Sequence, residues 1–389
     1  MRKRKMGFSK LFVIILGLLL ALTLDQCTAQ EFRCSSPSSC RALVGYITVN
    51  NTNLDAIQSL FNVTSFQSLL GANDLPLSTP RNRTIAARQL IRVPINCVCY
   101  NGTGTSSGGP TYTIQPGDGL YHIAAEVFSQ LVLFPQIAAA NNISNPDLIV
   151  VGDTLQIPLP CSCDDVDGQK VVHYAHVVEP NSTLPEIAQE FGTDEATLAR
   201  INGITAQNQL KAEQPIDVPL KACNSSVRSD SLDFPLLAAN GTYVFTANGC
   251  VRCTCEAANN WTLHCEPSQN RPSRWERCPS MQCEGSQGLS LGNVTTSGCS
   301  RTTCSYAGFN NSTIFTTLVQ DSSCTTSTPS NDVSRISLKW DIVIISVLLC
   351  LHLLSVYSSP SFYYLALFTF CFGELQLSRV EIEKGIEQY

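Results

Sequence analysis

The chain has 389 residues, a formal net charge of −6, only 14% charged residues and 19 cysteines. Its one conspicuous basic run, at positions 2–5, stands at the extreme N-terminus, so the rest offers no electrostatic footprint for nucleic acid. In chain order, Arg2-Lys-Arg-Lys5 precedes the apolar stretch Leu11–Leu22, and Cys27-Thr28-Ala29 then supplies small residues. Basic, apolar and small in that order predict a secretory signal peptide over 1–29, cleaved after Ala29. The apolar core is too short to span a bilayer comfortably as an anchor.

Export agrees with the cysteines. Cys27 leaves with the signal peptide, Cys350 and Cys371 lie in the apolar C-terminal region, and sixteen remain between Cys34 and Cys324. An even number in an oxidising compartment predicts complete pairing. Twelve Asn-x-Ser/Thr sites are spread over the exported region: Asn50, Asn62, Asn82, Asn101, Asn142, Asn181, Asn224, Asn240, Asn260, Asn293, Asn310 and Asn311. So many acceptors predict surface segments bearing glycans.

The exported region repeats itself at about sixty residues. Cys97-Val-Cys99 and Cys161-Ser-Cys163 are Cys-x-Cys pairs, and Cys223 follows one period later. Each is preceded by one closing phrase: Val93-Pro94-Ile95, Ile157-Pro158-Leu159 and Val218-Pro219-Leu220. In the middle unit, 111–161, Tyr112-Thr-Ile114 alternates as a strand and Gln115-Pro-Gly-Asp-Gly119 is a turn. Leu120, Ile123, Ala124, Val127 and Phe128 have helical spacing, Phe134–Ala140 gives a second helix closed by Asn141-Asn142, and Leu155-Gln-Ile157 returns as a strand. The third unit, 173–223, has the same order from His176-Val-Val178 through helices around Leu184–Phe191 and Asp194–Ile201, ending at Asn202-Gly203. The first, 30–99, is more diverged but keeps Tyr46-Ile-Thr48, Leu54–Phe61 and Phe66–Leu70, ending at Gly71-Ala-Asn73.

Residues 224–326 follow as a cysteine-rich, β-rich module containing Trp261 and Trp275. Cys250, Cys253, Cys255 and Cys265 beside His264 carry zinc-ligand chemistry, but in an exported chain they are expected as disulfides. Residues 327–341 form a polar spacer with Ser330 as candidate attachment site, and 342–389 begins with the apolar run Ile342–Val356, which together read as a GPI signal. The chain then continues through Phe362–Phe372 to a charged tail, which leaves open a C-terminal membrane span or a variant last exon.

Strand–helix–helix–strand in about fifty residues, with the frame Tyr112…Pro116-Gly-Asp118 to Gly152-Asp-Thr-Leu155…Ile157-Pro158, resembles the LysM domain. Three such units joined by Cys-x-Cys, then a cysteine-rich segment and a GPI-type tail, resemble the plant chitin elicitor-binding proteins across about residues 30–330. Val171-Val-His-Tyr-Ala-His-Val-Val178, Tyr243-Val-Phe-Thr-Ala247, Asn260-Trp-Thr262 and Thr313-Ile-Phe-Thr-Thr317 carry the likeness. The resemblance implies an α+β fold of three small βααβ domains packed through disulfide-bonded linkers. It also implies the pairs Cys34–Cys99, Cys40–Cys163 and Cys97–Cys161, a connectivity that spacing alone could not choose.

A chitin oligomer has no charge, so its site needs backbone groups and an apolar platform. The resemblance places these in two loops of the middle unit, Gly117-Asp118-Gly119-Leu120 and Pro146-Asp147-Leu148-Ile149, with Ile149 expected beneath the sugar. Gly117-Asp118 is equally a turn with a helix cap, and Ile149 equally a core residue. In the other units the corresponding turns carry sequons, Asn50 and Asn181, whose glycans would crowd the rim. Asn142 stands near the second loop, so its glycan must point away. Neither a metal nor a cofactor is implied, and no segment is left over to build a catalytic domain. The resemblance implies a non-catalytic pattern-recognition receptor on the outer plasma membrane, partnered by a LysM receptor-like kinase and able to form a ligand-bridged homodimer. Peptidoglycan recognition, a LysM-targeted wall hydrolase and a structural wall protein are the alternatives.

Overall fold

The structure, a computed structural model, describes residues 32–35, 37–285 and 288–322. The expected signal peptide, Ser330 and the C-terminal apolar region lie outside them. The first unit runs β1 (Ser38–Ile47), β2 (Thr52–Asn53), α1 (Leu54–Leu60), α2 (Phe66–Ala72), β3 (Thr84–Ile85) and β4 (Leu90–Tyr100). After β5 (Thr103–Ser106), the second has β6 (Thr111–Thr113), α3 (Leu120–His122), a π-helical turn over Ile123–Val127, α4 (Phe134–Ala140) and β7 (Thr154–Gln156). The third has β8 (Val171–Val177), α5 (Leu184–Phe191), α6 (Glu195–Ile201) and β9 (Pro215–Lys221). The module that follows contains two three-stranded sheets, β10 (Thr242–Thr246), β11 (Val251–Cys255) and β12 (His264–Pro267), then β13 (Val294–Ser297), β14 (Ser300–Phe309) and β15 (Ile314–Ser322).

Helices of seven or eight residues are not stable alone, so each leans on a cap and on tertiary packing. Asn53 caps α1, Ser65 caps α2, Thr183 and Glu186 form a reciprocal box on α5, and Asp194 caps α6. The closing asparagine of each unit has a further task. The carboxamide of Asn73 donates to Leu69 and Arg92 carbonyls and accepts from the Arg92 amide. Asn141 does the same with Ile137 and Gln156, and Asn202 with Leu198 and Asp217. One side chain thereby satisfies a helix-end carbonyl and locks the second helix to the returning strand in all three units. Asn202 is buried, so Asn202→Ala leaves several backbone groups without partners. We expect a loss of about 2–3 kcal/mol in urea unfolding, against almost none for a substitution at exposed Gln207.

The five-stranded sheet has the order β5-β4-β1-β8-β9. β1 pairs antiparallel with β4 and parallel with β8, through Leu43↔Tyr174 and Val44↔Ala175, so the first and third units share one sheet. This explains why Ala42–Tyr46 is continuously buried while β4 alternates. Gly45 allows the approach: a Cβ there would lie 2.1 Å from the Tyr174 hydroxyl. The second unit instead fuses its core with the first. Tyr46, Phe61, Phe128 and Tyr112 stack edge-on with centroid separations of 5.0, 5.7 and 6.1 Å. The helix expected through Leu120–Phe128 widens into its π turn here, with the Phe128 amide donating to the Ile123 carbonyl and the ring fully buried.

Disulfides join Cys34 to Cys99 within the first unit, and Cys40 to Cys163 and Cys97 to Cys161 between the first unit and the end of the second. In the module, Cys223 pairs with Cys255, Cys250 with Cys278, Cys253 with Cys265 and Cys283 with Cys304, which consumes the sulfurs of the zinc-like cluster. The module docks on the first unit through Tyr243, whose hydroxyl donates to the Leu75 carbonyl at 2.5 Å.

Strand β8 carries two buried histidines with opposite requirements. His173 presents Nδ1 to the Asp217 carboxylate at 2.9 Å and Nε2 to the Asp164 carbonyl at 2.8 Å, so the protonated ring satisfies both acceptors. Burial opposes that charge, but Asp217 and the two hydrogen bonds raise its pKa above the ordinary value. His176 has no partner for Nε2 among the described residues, and burial lowers it to about 4. His173 therefore contributes stability that is complete below about pH 6.5 and is lost as pH rises through its raised folded value. His176 acts in reverse, removing stability as pH falls from about 6.5 towards 4, by about 3 kcal/mol. Urea unfolding of the mature protein is expected to show greatest stability near pH 6.5, falling on both sides.

Candidate functional site

One strand end anchors the chain next to each candidate loop of the middle unit. Ile114, the residue after β6, donates to the Asp153 carbonyl and accepts from the Gly152 amide, each at 2.9 Å. The first loop turns immediately afterwards, with the Asp118 amide donating to the Gln115 carbonyl at 3.1 Å. Gly117 has φ +92°, a conformation that a side chain makes costly.

Asp118 anchors this loop. Its carboxylate accepts from the Gln115 amide at 2.7 Å and the Tyr112 hydroxyl at 2.9 Å, and meets His122 Nδ1 at 2.9 Å. Burial alone would raise its pKa, but these three donors hold it below the ordinary carboxylate value. Burial, with the bond to Asp118, pushes the Tyr112 phenol up to about 12. Gly119 opens α3 without a side-chain cap, and Leu120 is buried in the core. The first loop can therefore offer a ligand its backbone, while the Asp118 and Leu120 side chains face inward.

The second loop is a turn in which the Leu148 amide donates to the Asn145 carbonyl, reinforced by the Asp147 amide on the Asn145 carboxamide oxygen, both at 3.1 Å. Pro146 is half-buried and Asp147 exposed. Leu148 is 74% exposed, and Val150 and Val151 follow at 61% and 56%, whereas Ile149 is half-buried against the core shared with the first unit. Exposed large aliphatics clustered on one loop are the informative observation here. The run Leu-Ile-Val-Val cannot reveal which member faces out, so Val150 and Val151 are not legible from the sequence as site residues. Nor does helical spacing mark Tyr121 and Phe134, two exposed aromatics of the same unit with centroids 6.5 Å apart.

The corresponding turns elsewhere are built differently. In the first unit the Asn53 side chain is used as a helix cap, and in the third the Thr183–Glu186 box occupies the turn. Asn50 and Asn181 are exposed there, as is Asn142 in the middle unit. The other sequon asparagines are exposed too, except half-buried Asn310, whose carboxamide oxygen accepts from the Ser312 and Thr313 amides.

Three strand–helix–helix–strand units, the first two bridged through their Cys-x-Cys pairs and the first and third sharing a sheet, one with an exposed apolar loop, define a multi-LysM ectodomain. The LysM domain family matches residues 112–158 and 176–219. The chain is 48% identical, over 87% of its length and 98% of the relative's, to LysM domain-containing GPI-anchored protein 2 of Arabidopsis thaliana. It is 40% identical, over 73% of its length and 79% of the relative's, to chitin elicitor-binding protein of Oryza sativa subsp. japonica. Chitin elicitor receptor kinase 1 of Physcomitrium patens is 27% identical over 50% of this chain and 29% of that protein. The chain belongs to the family of plant LysM domain-containing GPI-anchored proteins, which places it at the cell surface. Among the described residues no helix is long and apolar enough to cross a membrane.

Proposed function

We propose that the protein is a non-catalytic pattern-recognition receptor that binds chitin oligosaccharides in the groove of its middle LysM unit. The observation that carries this reading is the exposed Leu148, on a loop whose following residues are tied to the strand end that precedes the glycine-hinged loop, chemistry suited to an uncharged sugar with an apolar face. It is supported by the likeness to a protein named for binding a chitin elicitor. A single site of this kind is expected to bind at about micromolar affinity, roughly −8 kcal/mol. Ser330 is the proposed GPI attachment site and the twelve sequons the proposed glycan sites. The protein would then signal through a LysM receptor-like kinase in plant innate immunity, recruited when one long oligomer bridges two ectodomains, with a ligand-bridged homodimer formed in the same way.

The test is calorimetric titration of the mature glycoprotein with chitin octamer, followed by competition with soluble peptidoglycan fragments. Binding of the octamer that peptidoglycan does not displace supports the reading. Preferential binding of peptidoglycan reassigns the ligand, and release of reducing ends from chitin would overturn the non-catalytic assignment.

A further inference from the structure

A concavity of about 1120 Å³ lies where the first LysM unit meets the cysteine-rich module. This is at or above the upper end of ordinary ligand sites, about 300–1,000 Å³. It is lined from one side by β1 and the start of α2, and from the other by the segments around Phe234, Asn248 and Arg271. None of the middle-unit loop residues lines it.

Its charge is one-sided. Arg41, Arg271 and Arg274 line it against a single carboxylate, Asp233. No ion pair joins any of the three arginines to an acidic side chain among the described residues. Asp233 is already engaged: the Tyr306 hydroxyl donates to it at 2.8 Å, and the Ser231 and Thr246 hydroxyls donate as well. Arg41 is reached by solvent yet walled by protein, and the only hydrogen bond from its side chain among the described residues is a long one of 3.5 Å to the Phe245 carbonyl. Burial lowers its pKa, with Asp233 only partly offsetting the effect. A partly desolvated cation only partly compensated by a carboxylate that is itself already hydrogen-bonded is a cost that an anionic ligand would relieve.

The rest of the lining narrows the class of anion. Amides such as Gln67, Asn96 and Asn270 both donate and accept, which suits hydroxyl groups. The Phe234 ring, 48% exposed, offers a flat apolar face. An added peptide strand is disfavoured because β10 is covered by α2: a Cβ on Gly71 would lie 2.1 Å from the Tyr243 carbonyl oxygen. We propose that this cleft binds a carboxylate-bearing oligosaccharide, a uronate oligomer, with the three guanidiniums on its carboxylates and Phe234 against a sugar face. Guanidinium matches carboxylate in a planar, bidentate geometry that lysine lacks.

The test titrates the mature glycoprotein with a galacturonate hexamer, its methyl-esterified counterpart and a glutamate hexapeptide. The free acid is expected to bind at least tenfold more tightly than either, and more weakly as salt rises. Arg271→Gln/Arg274→Gln, two exposed positions, should weaken the free acid at least tenfold while the unfolding midpoint and any chitin-octamer binding stay as in wild type. Equal affinity for ester and acid, wild-type affinity in the double variant, or no binding would overturn the proposal. A glutamate peptide that binds as tightly would replace the saccharide with an acidic polypeptide. Chitin binding is read in a separate titration, so either proposal can fail alone.

Discussion

Leu148→Asp is expected to lower chitin-octamer affinity more than a hundredfold without destabilising the protein. The side chain is 74% exposed, so the free protein loses little, about 0.5 kcal/mol or less. In the complex the change removes an apolar contact and forces a carboxylate out of water against an uncharged sugar, together more than about 3 kcal/mol. Gly117→Ala should act through the other loop, since φ +92° strains any residue with a Cβ by about 1 kcal/mol or more. Ile149→Asp is a poorer probe, because Ile149 packs on the shared core and its replacement disturbs the fold as well as the groove. Calorimetry beside thermal unfolding separates the cases. Wild-type affinity in folded Leu148→Asp would move the ligand away from the middle unit.

Loss of the linker disulfides is expected to be strongly non-additive. With Cys34–Cys99 and Cys40–Cys163 intact, Cys97–Cys161 closes a covalent circuit of about 13 residues, through 97–99, 34–40 and 161–163. Cys97→Ser/Cys161→Ser should therefore cost about 3 kcal/mol, the chain-entropy value for a short loop. Cys40–Cys163 then becomes the only bridge to the middle unit among the described residues, closing a circuit of about 72 residues through 34–40 and 99–163. Removing it next should cost about 4.4 kcal/mol, enough to unfold or release that unit. Urea unfolding of single and double pair-deletions measures both steps, and equal costs would contradict the circuit.

The LysM likeness was legible because it rests on local, periodic chemistry. The strand–helix–helix–strand order follows from apolar spacing, the turns from Gly117 and the caps, and export from the N-terminal run and the paired cysteines. The asparagines that end each second helix were visible as punctuation, but their bonds to Arg92, Gln156 and Asp217 were not, because those partners lie 15 to 19 residues away. The first unit shows the limit most clearly. It falls outside the residues matched by the LysM family, yet it keeps the helix pair and the Asn73 clamp.

Sequence by itself determined the local elements, the secretory chemistry and the residues of the candidate loops, since each depends on neighbours along the chain. Tertiary structure alone decided how the units join: β1 beside β8, Phe128 between Phe61 and Tyr112, and Tyr243 reaching Leu75. It also decided that Leu148 faces water while Ile149 packs inward, and that Arg41 shares a cleft with Arg271 and Arg274. The physical reason is the same in each case. Exposure and charge pairing depend on what the rest of the chain covers, and adjacent apolar or basic residues are equivalent until the fold buries one and leaves the other open.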